Sequence, residues 1–344
     1  MDELFDLGSV AKKTDDTSAR TNPFRPLYDL CNKENSEWRY KNLPNFPNFI
    51  DLELTNTCNF RCLMCPTGNL SQKRTSGFME DSVYYKILNE IKVNKTPIRF
   101  IRWGEPTSHP KMVEFIRAAK KEGVMCHLNT NGSLLDEEKI DQLLGIPLDG
   151  IKFSFQGVDA KSYREMRNTD FFDGLMSTIK LFYKKRGDQE FPFIHISTTI
   201  TYETKKQVEE FKKVAREFSD LVTVGRTVLE GRVNIDEVRL GQEEKDMLRY
   251  LESEESLIRA HPECPEVFNK LSINWDGTLT ACCTDSDNKM LLGSIQESSM
   301  AEIWESNKLD EYRKMLVQMR HDELDLCKNC YDYMSIQTPG LQKV

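Results

Sequence analysis

Residues 49–68 read FIDLELTNTCNFRCLMCPTG. Ile50, Leu52 and Leu54 recur at period two, the repeat of a strand with one apolar face. Directly behind that strand stand Cys58, Cys62 and Cys65, a C-x3-C-x2-C spacing. Three thiolates this close in one loop can wrap one side of a small cluster, since the chain between them must curl around it. A structural zinc site asks for four protein ligands. A 4Fe–4S cluster also has four corners, each normally held by a thiolate, so three cysteines leave one iron open to a non-protein ligand. An open corner points to chemistry. The competing readings of the same residues are a zinc knuckle or cysteines with no common role.

Downstream the strand pattern returns in IRFIRW (98–103), MCHLNTNG (125–132), GIKFSFQG (150–157), FIHISTTI (193–200) and LVTVGRTV (221–228). Between these lie stretches with helical spacing near 80–94, 109–123, 136–144, 159–166, 172–185 and 205–220. Strands alternating with helices predict an α/β fold with a parallel sheet wrapped by helices. Pattern alone leaves a partial barrel and an open doubly wound sheet both standing.

The flanks differ in character. Residues 1–24 are polar and aperiodic and predict a flexible arm, and residues 25–45, with Pro26 and Pro44 among aromatics, predict irregular structure. Residues 229–263 are charged and helical around 241–259, and beyond them short strand-like pieces, turns and cysteines mark a smaller domain. The expected organisation is an arm over 1–45, partly disordered, a barrel over 46–235 and a C-terminal cysteine-rich domain over 236–344.

Composition narrows the class. The 344 residues carry a formal net charge of −8, with 30% charged and 39% hydrophobic residues, which suits a globular enzyme and argues against a nucleic-acid binder with its basic face. No run of 18 apolar residues occurs, so no membrane span is expected. The acidic N-terminus is unlike a secretory signal. The expected location is the cytoplasm, where ten cysteines point to metal or catalytic roles rather than disulfides.

The cysteine spacing, the strand before it and the motifs after it resemble the radical S-adenosylmethionine (radical SAM) superfamily. The resemblance implies a partial (β/α)6 TIM-like barrel. It also implies SAM chelated to the open iron and cleaved reductively to a 5′-deoxyadenosyl radical that abstracts a substrate hydrogen. Met64 stands where the family commonly has an aromatic residue. RWGEPTSHP (102–110) is similar to the family's Gly-Gly-Glu-Pro motif, with Trp103 in place of the first glycine, which implies Gly104 and Glu105 at the SAM amino group. LNTNG (128–132) implies Asn131 as a SAM contact, and SFQG (154–157) implies Ser154 and Gln156, which strict alternation puts on one side. Arg226 is a candidate partner for the SAM carboxylate. Cys31, Cys126 and His127 read as packing residues.

Cys264, then NWDGTLTACC with Cys282 and Cys283, then LCKNC with Cys327 and Cys330 resemble the SPASM/Twitch extension of the superfamily. No cysteine follows Cys330, which favours the shorter Twitch form with one auxiliary 4Fe–4S cluster on Cys264, Cys282, Cys327 and Cys330; a zinc ribbon uses the same ligand types. Cys283, adjacent to Cys282, is expected to point away from it in extended backbone. Within this subgroup the chain is similar to 2-deoxy-scyllo-inosamine dehydrogenase-like enzymes. That likeness implies a small polar substrate such as a sugar or aminocyclitol, undergoing oxidation, epimerisation or dehydration, with reduced flavodoxin or ferredoxin as electron donor. A peptide- or protein-modifying maturase and a non-enzymatic zinc-binding interaction protein are the alternative readings.

Overall fold

The computed structural model describes residues 20–31, 34–227, 233–253, 257–259, 264–328, 330 and 334–336. The predicted arm over 1–24 lies largely outside the described residues. Two short helices, α1 (Arg25–Cys31) and α2 (Ser36–Lys41), occupy the stretch expected to be irregular. The Asn35 side chain accepts from the Trp38 N–H and caps α2, a local start signal that the prolines and aromatics around it obscured.

Six strands follow, each parallel to the next: β1 (Phe49–Leu52), β2 (Ile98–Phe100), β3 (Cys126–Thr130), β4 (Gly150–Ser154), β5 (Phe193–Ile200) and β6 (Leu221–Arg226). Between them run α3 (Asp81–Ile91), α4 (Met112–Lys121), α5 (Glu137–Leu144), α6 (Ala160–Arg167), α7 (Phe172–Arg186) and α8 (Lys205–Ala215). The elements agree with those expected from the alternating pattern, and the parallel sheet is that of a partial TIM-like barrel.

Alternation gives the sheet two unlike faces. Ile50, Leu52, Ile98, Phe100, Leu128, Ile151, Phe153, Ile194, Ile196 and Val222 are fully buried and share one core with Tyr84 and Ile87 of α3, Phe115 of α4, Ile179 and Phe182 of α7 and Phe211 of α8. Tyr84 stacks on Phe115 with ring centroids 4.0 Å apart. The opposite row is polar. Asp51 pairs in register with Arg99, Arg99 with His127, Asn129 with Lys152, and Lys152 with His195. At its N-terminal end this face is closed by α1 and the residue before it, where Phe24 meets the His127 ring edge-on at 5.3 Å and Tyr28 meets Phe49. Towards the C-terminal strand ends the same face opens, and Asn129, Lys152, Ser154, Ser197, Thr199 and Thr223 are only half-buried.

The C-terminal part adds α9 (Gln242–Ser253), β7 (Leu257–Arg259), α10 (Glu266–Asn269), β8 (Lys270–Ile273), β9 (Thr278–Thr280), β10 (Leu291–Ser294), α11 (Met300–Trp304), α12 (Asn307–Val317) and β11 (Met334–Ile336). Residues 257–259, expected to be helical, form a strand paired antiparallel with β11; a partner over seventy residues away overrides local helical spacing. β8 lies parallel beside β1, with Asp51 opposite Ser272. The barrel sheet therefore continues without a break into β8, β9 and β10, in the order β10-β9-β8-β1-β2-β3-β4-β5-β6.

Burial inside the polar face lowers the proton affinity of two histidines. His127 is pushed down to about 3 by desolvation and by the Arg99 and Lys152 charges. His195 is lowered by desolvation, then by Lys152 and His127. Below the ordinary histidine pKa of about 6.5 the unfolded chain takes up protons that the folded one refuses, so their contribution to stability falls as pH drops from there towards the folded values. His127→Asn is expected to flatten the decline in unfolding free energy between pH 6 and 5 by up to about 1.4 kcal/mol per pH unit, as read from denaturant titrations at each pH.

Candidate active site

The loop after β1 is held by its own backbone. Cys62 is buried while Cys58 and Cys65 are half-buried, and all three are free thiols. The Phe60 N–H donates to Cys58 Sγ at 3.4 Å, the Cys65 N–H to the Cys62 carbonyl at 3.2 Å and the Leu63 N–H to the Met166 carbonyl of α6 at 2.9 Å. A Cβ on Gly68 would lie 2.5 Å from the Cys62 backbone N and O, so the curl closes only around a glycine.

The three sulfurs act on one another electrostatically. Burial pushes the Cys58 thiol up to about 12, with the Phe60 N–H opposing and Glu105, Cys62 and Cys65 adding to the rise. Burial also raises Cys62, and the Arg167 guanidinium offsets part of that rise. Arg167 is buried at the end of α6, with Nη1 3.5 Å from Cys62 Sγ and Nη2 donating to the Ser154 carbonyl. Thiols that feel one another's charge beside a buried cation fit a metal centre, whose binding releases the thiol protons and whose anionic charge the guanidinium balances. Arg167 lies thirteen residues past Ser154 within a charged helical stretch, and nothing in its sequence context marks it as buried.

The loops after β2 and β3 lock onto this one. A Cβ on Gly104 would lie 1.9 Å from the Thr55 carbonyl oxygen and 2.9 Å from that of Thr57, so the two loops meet backbone to backbone, and the Glu105 N–H donates to the Thr57 carbonyl at 2.9 Å. Glu105 is buried. Its Oε1 accepts from the Thr107 N–H at 3.1 Å, Thr107 Oγ1 at 2.6 Å and Thr130 Oγ1 at 2.7 Å, while Oε2 accepts from the Asn131 N–H at 2.7 Å. Desolvation raises its pKa against these bonds. Asn131 in turn donates through Nδ2 to Asn59 Oδ1 at 3.0 Å and to Cys58 Sγ at 3.9 Å. Glu105 and Asn131 thus brace three loops around Cys58.

The remaining predicted contacts are placed differently. Ser154 is half-buried on the open polar face. Gln156 is buried, its Nε2 donating to the Thr199 carbonyl at 3.0 Å and to Thr227 Oγ1, its Oε1 accepting from Thr199 Oγ1 at 2.6 Å. Its amide therefore ties the end of β4 to β5 and to the residue after β6. Arg226 ends β6, and its side chain lies outside the described residues.

Cys282 feels two of the later cysteines: against a hydrogen bond with Cys283 that lowers its thiol pKa, burial raises it, as do the charges of Glu266, Cys264 and Cys330. Cys327 is buried 3.8 Å from Met290 Sδ, and burial pushes it up to about 12. Cys283 does not point away from Cys282: ligand atoms of Glu266, Cys282 and Cys283 all lie within 4.8 Å of one another. β9 ends at Thr280, and the turn that follows, with the Asp285 N–H on the Cys282 carbonyl at 3.3 Å, breaks the alternation of extended chain. Cys283 donates to Glu266 Oε2 at 3.3 Å and lies 3.4 Å from Lys270 Nζ.

Three residues join the two cysteine regions among those described: the Lys73 N–H donates to Asp287 Oδ1 and Arg74 Nε to the Ser286 carbonyl, each at 2.7 Å, and Arg102 adds the most bonds. Arg102, held at φ +126°, donates to Thr280 Oγ1 at 3.2 Å, to the Cys282 carbonyl at 3.3 Å and to the Asp285 carbonyl at 2.8 Å. Its Nε lies 3.7 Å from Glu53 Oε2, and Arg74 holds the same carboxylate through two bonds of 2.8 Å. A positive φ at a non-glycine costs about 1–3 kcal/mol and persists because these bonds over-determine it. Arg102→Gln is expected to destabilise the protein by about 3–5 kcal/mol, visible as a lower denaturant midpoint, and to lower metal retention at the C-terminal cysteines; an unchanged midpoint would show that the clamp carries no load.

Comparison with known proteins gives this geometry its family. The sequence model of the radical SAM superfamily matches residues 52–215, and that of an iron–sulfur cluster-binding domain, SPASM, matches residues 264–331. The chain is 25% identical over 299 residues to the tungsten-containing aldehyde ferredoxin oxidoreductase cofactor-modifying protein of Pyrococcus furiosus, covering 77% of this chain and 83% of that one. It is 22% identical over 293 residues to the S-adenosyl-L-methionine-dependent 2-deoxy-scyllo-inosamine dehydrogenase of Niallia circulans, covering 84% and 94%. Among solved structures, SuiB of Streptococcus suis bound to S-adenosylmethionine superposes with a TM-score of 0.63 at 15% identity, over 86% of this chain and 76% of that one. BtrN in complex with AdoMet and 2-DOIA superposes at 0.54 and 18% identity, over 84% and 99%. At these identities the two structures speak for the fold alone. The cysteine loop after β1, the parallel partial barrel behind it and the two matched sequence models together make this chain an enzyme of the radical SAM superfamily with a C-terminal SPASM iron–sulfur domain.

Proposed function

We propose that Cys58, Cys62 and Cys65 hold the SAM-binding 4Fe–4S cluster, that Cys264, Cys282, Cys327 and Cys330 hold an auxiliary one, and that the enzyme abstracts hydrogen from a hydroxyl- or amine-bearing carbon of a small polar substrate. The observation that carries this reading is the convergence of three loops on Cys58, with the polar face of the barrel opening beside them. Bound at these cysteines, the groups supply a 5′-deoxyadenosyl radical and an acceptor for the second electron of an oxidation.

The protein's own residues prepare the site. Gly104 lets the loop after β2 lie against the Thr55 and Thr57 carbonyls, leaving its own backbone polar groups beside the cysteine loop. Glu105 keeps one lone-pair site on Oε2 beyond its four bonds, enough to accept from an ammonium group. Asn131 holds Asn59 and faces Cys58. The Arg167 guanidinium, next to Cys62 and the Ser154 carbonyl, offsets cluster charge and offers a partner for a carboxylate, a role expected for Arg226 from sequence. Gln156 acts as a brace between strands and engages the Thr199 hydroxyl, while Ser154 and Ser197 present small polar groups that suit a hydroxylated substrate.

Anaerobically reconstituted protein is expected to bind about eight irons per chain, four per cluster. Reduced by flavodoxin or dithionite, it should convert SAM to 5′-deoxyadenosine. Cys62→Ala is expected to remove that conversion and about half the iron. Zinc in place of iron, or no 5′-deoxyadenosine from the reduced, fully loaded protein, would overturn the assignment. Deuterium passing from a labelled sugar or cyclitol into 5′-deoxyadenosine would fix the substrate class, whereas transfer only from peptides would replace it.

A further inference from the structure

Glu266, Cys282 and Cys283 bring ligand atoms within 4.8 Å of one another, a grouping of the kind that holds a metal ion. Two of its three members are already engaged by a lysine. Lys270 Nζ lies 2.5 Å from Glu266 Oε2 and 3.4 Å from Cys283 Sγ, and the Cys283 thiol donates to the same Glu266 oxygen at 3.3 Å. The ammonium comes from β8, inside the sheet. It is almost wholly buried, lies 2.9 Å from Asp51 Oδ2 and stands over the Phe49 ring, 5.6 Å from its centroid. Burial works against its charge, but Asp51, Cys283 and Glu266 outweigh that cost and the opposing charge of Arg99, so its proton affinity rises well above the ordinary lysine value. Lys270 is thus a permanent cation at neutral pH. Arg99 donates to the two Asp51 oxygens at 2.6 and 2.8 Å. The charges of Asp51, Glu266, Arg99 and Lys270 cancel, so neutralising any one of them changes the local charge by a full unit, with a sign set by the residue removed.

We propose that Lys270 sets the reduction potential of the auxiliary cluster, raising it, with Glu266 acting in the opposite sense and Cys283 a sulfur contact of both rather than a cluster ligand. This rests on the reading of Cys264, Cys282, Cys327 and Cys330 as the ligands of that cluster, and adds the direction in which its surroundings bias it. The potential of a thiolate-held cluster follows the net charge, hydrogen bonding and burial around it. Reduction adds negative charge, which a buried cation nearby stabilises and a carboxylate opposes. Both charges stand close to the ligand set. Lys270 meets it through Cys283, the residue after Cys282, and Glu266 follows Cys264 by two residues. A raised potential is what an electron acceptor needs, and the lysine works in that sense.

The test is an EPR-monitored redox titration of the full-length chain, anaerobically reconstituted and carrying Cys62→Ala, so that the iron left belongs to the auxiliary cluster. Added to that background, Lys270→Gln is expected to lower the equilibrium constant for reduction about tenfold, a midpoint about 59 mV more negative. Glu266→Gln should move the midpoint the other way, and Lys270→Arg should leave it near the parent value. Cys283→Ser should keep the iron. Structural damage alone does not produce shifts of opposite sign. Equal midpoints, shifts of one sign in both glutamine variants, or loss of the iron on Cys283→Ser would overturn the proposal, and Glu266→Gln decides it where Lys270→Gln fails to assemble. A Cys62→Ala chain that reconstitutes without iron would overturn the auxiliary-cluster reading itself, and the proposal with it.

Discussion

Two carboxylates at the barrel's first strand hold the architecture together. Asp51 bonds Arg99 on one neighbouring strand and Lys270 on the other. Glu53, one residue past β1, bonds Arg74 and Arg102 and accepts from the Trp103 N–H at 3.3 Å and the Trp275 N–H at 3.5 Å. Both acids are almost wholly buried. A buried charge is tolerated only when paired and fully hydrogen-bonded, so these two acids draw in every segment that carries a partner. The partners come from the loop behind the cysteines, from β2 and the turn after it, and from β8 of the C-terminal part. The same pairs that satisfy the acids therefore set the distance between the two cysteine regions.

Each cysteine region also has its own buried cation. Arg167 meets Cys62, and Lys270 meets Cys283, the neighbour of Cys282. Thiolate-held clusters carry net negative charge, and in a low-dielectric surrounding a fixed cation nearby favours the more reduced state. Lys270 is further tied to Asp51 and Glu266, so the polar interior of the barrel and the surroundings of Cys282 belong to one continuous ionic lattice.

Much of this was legible in the chain. The period-two runs located all six barrel strands, and C-x3-C-x2-C after the first of them pointed to the family. What stayed hidden shares a cause. Asp51 and Glu53 alternate with Ile50, Leu52 and Leu54, and in one dimension such a face looks solvated; only pairing with Arg99, Lys270, Arg74 and Arg102, all distant in sequence, makes it an interior. Arg167 sits in a charged helix for the same reason. Residues 257–259 were misjudged because their strand partner lies in 334–336, and Cys283 because a turn replaced the extended backbone that alternation assumes. Gln156 was correctly placed near the strand ends, yet its amide serves Thr199 and Thr227 rather than open space.

The unbroken run of the sheet from β6 to β10 bears on how such proteins can be taken apart and recombined. A C-terminal unit joined by a linker can be exchanged as a cassette. Here β8 supplies the hydrogen bonds along the outer edge of β1 and the ammonium that meets Asp51. Removing it would leave a raw strand edge, open to pairing with another molecule, next to an acid stripped of one counter-charge. Grafting a foreign auxiliary domain onto this barrel therefore requires keeping a parallel β8 with a lysine in register, and a chimera cut at residue 263 without it inherits an aggregation site in place of a second cluster.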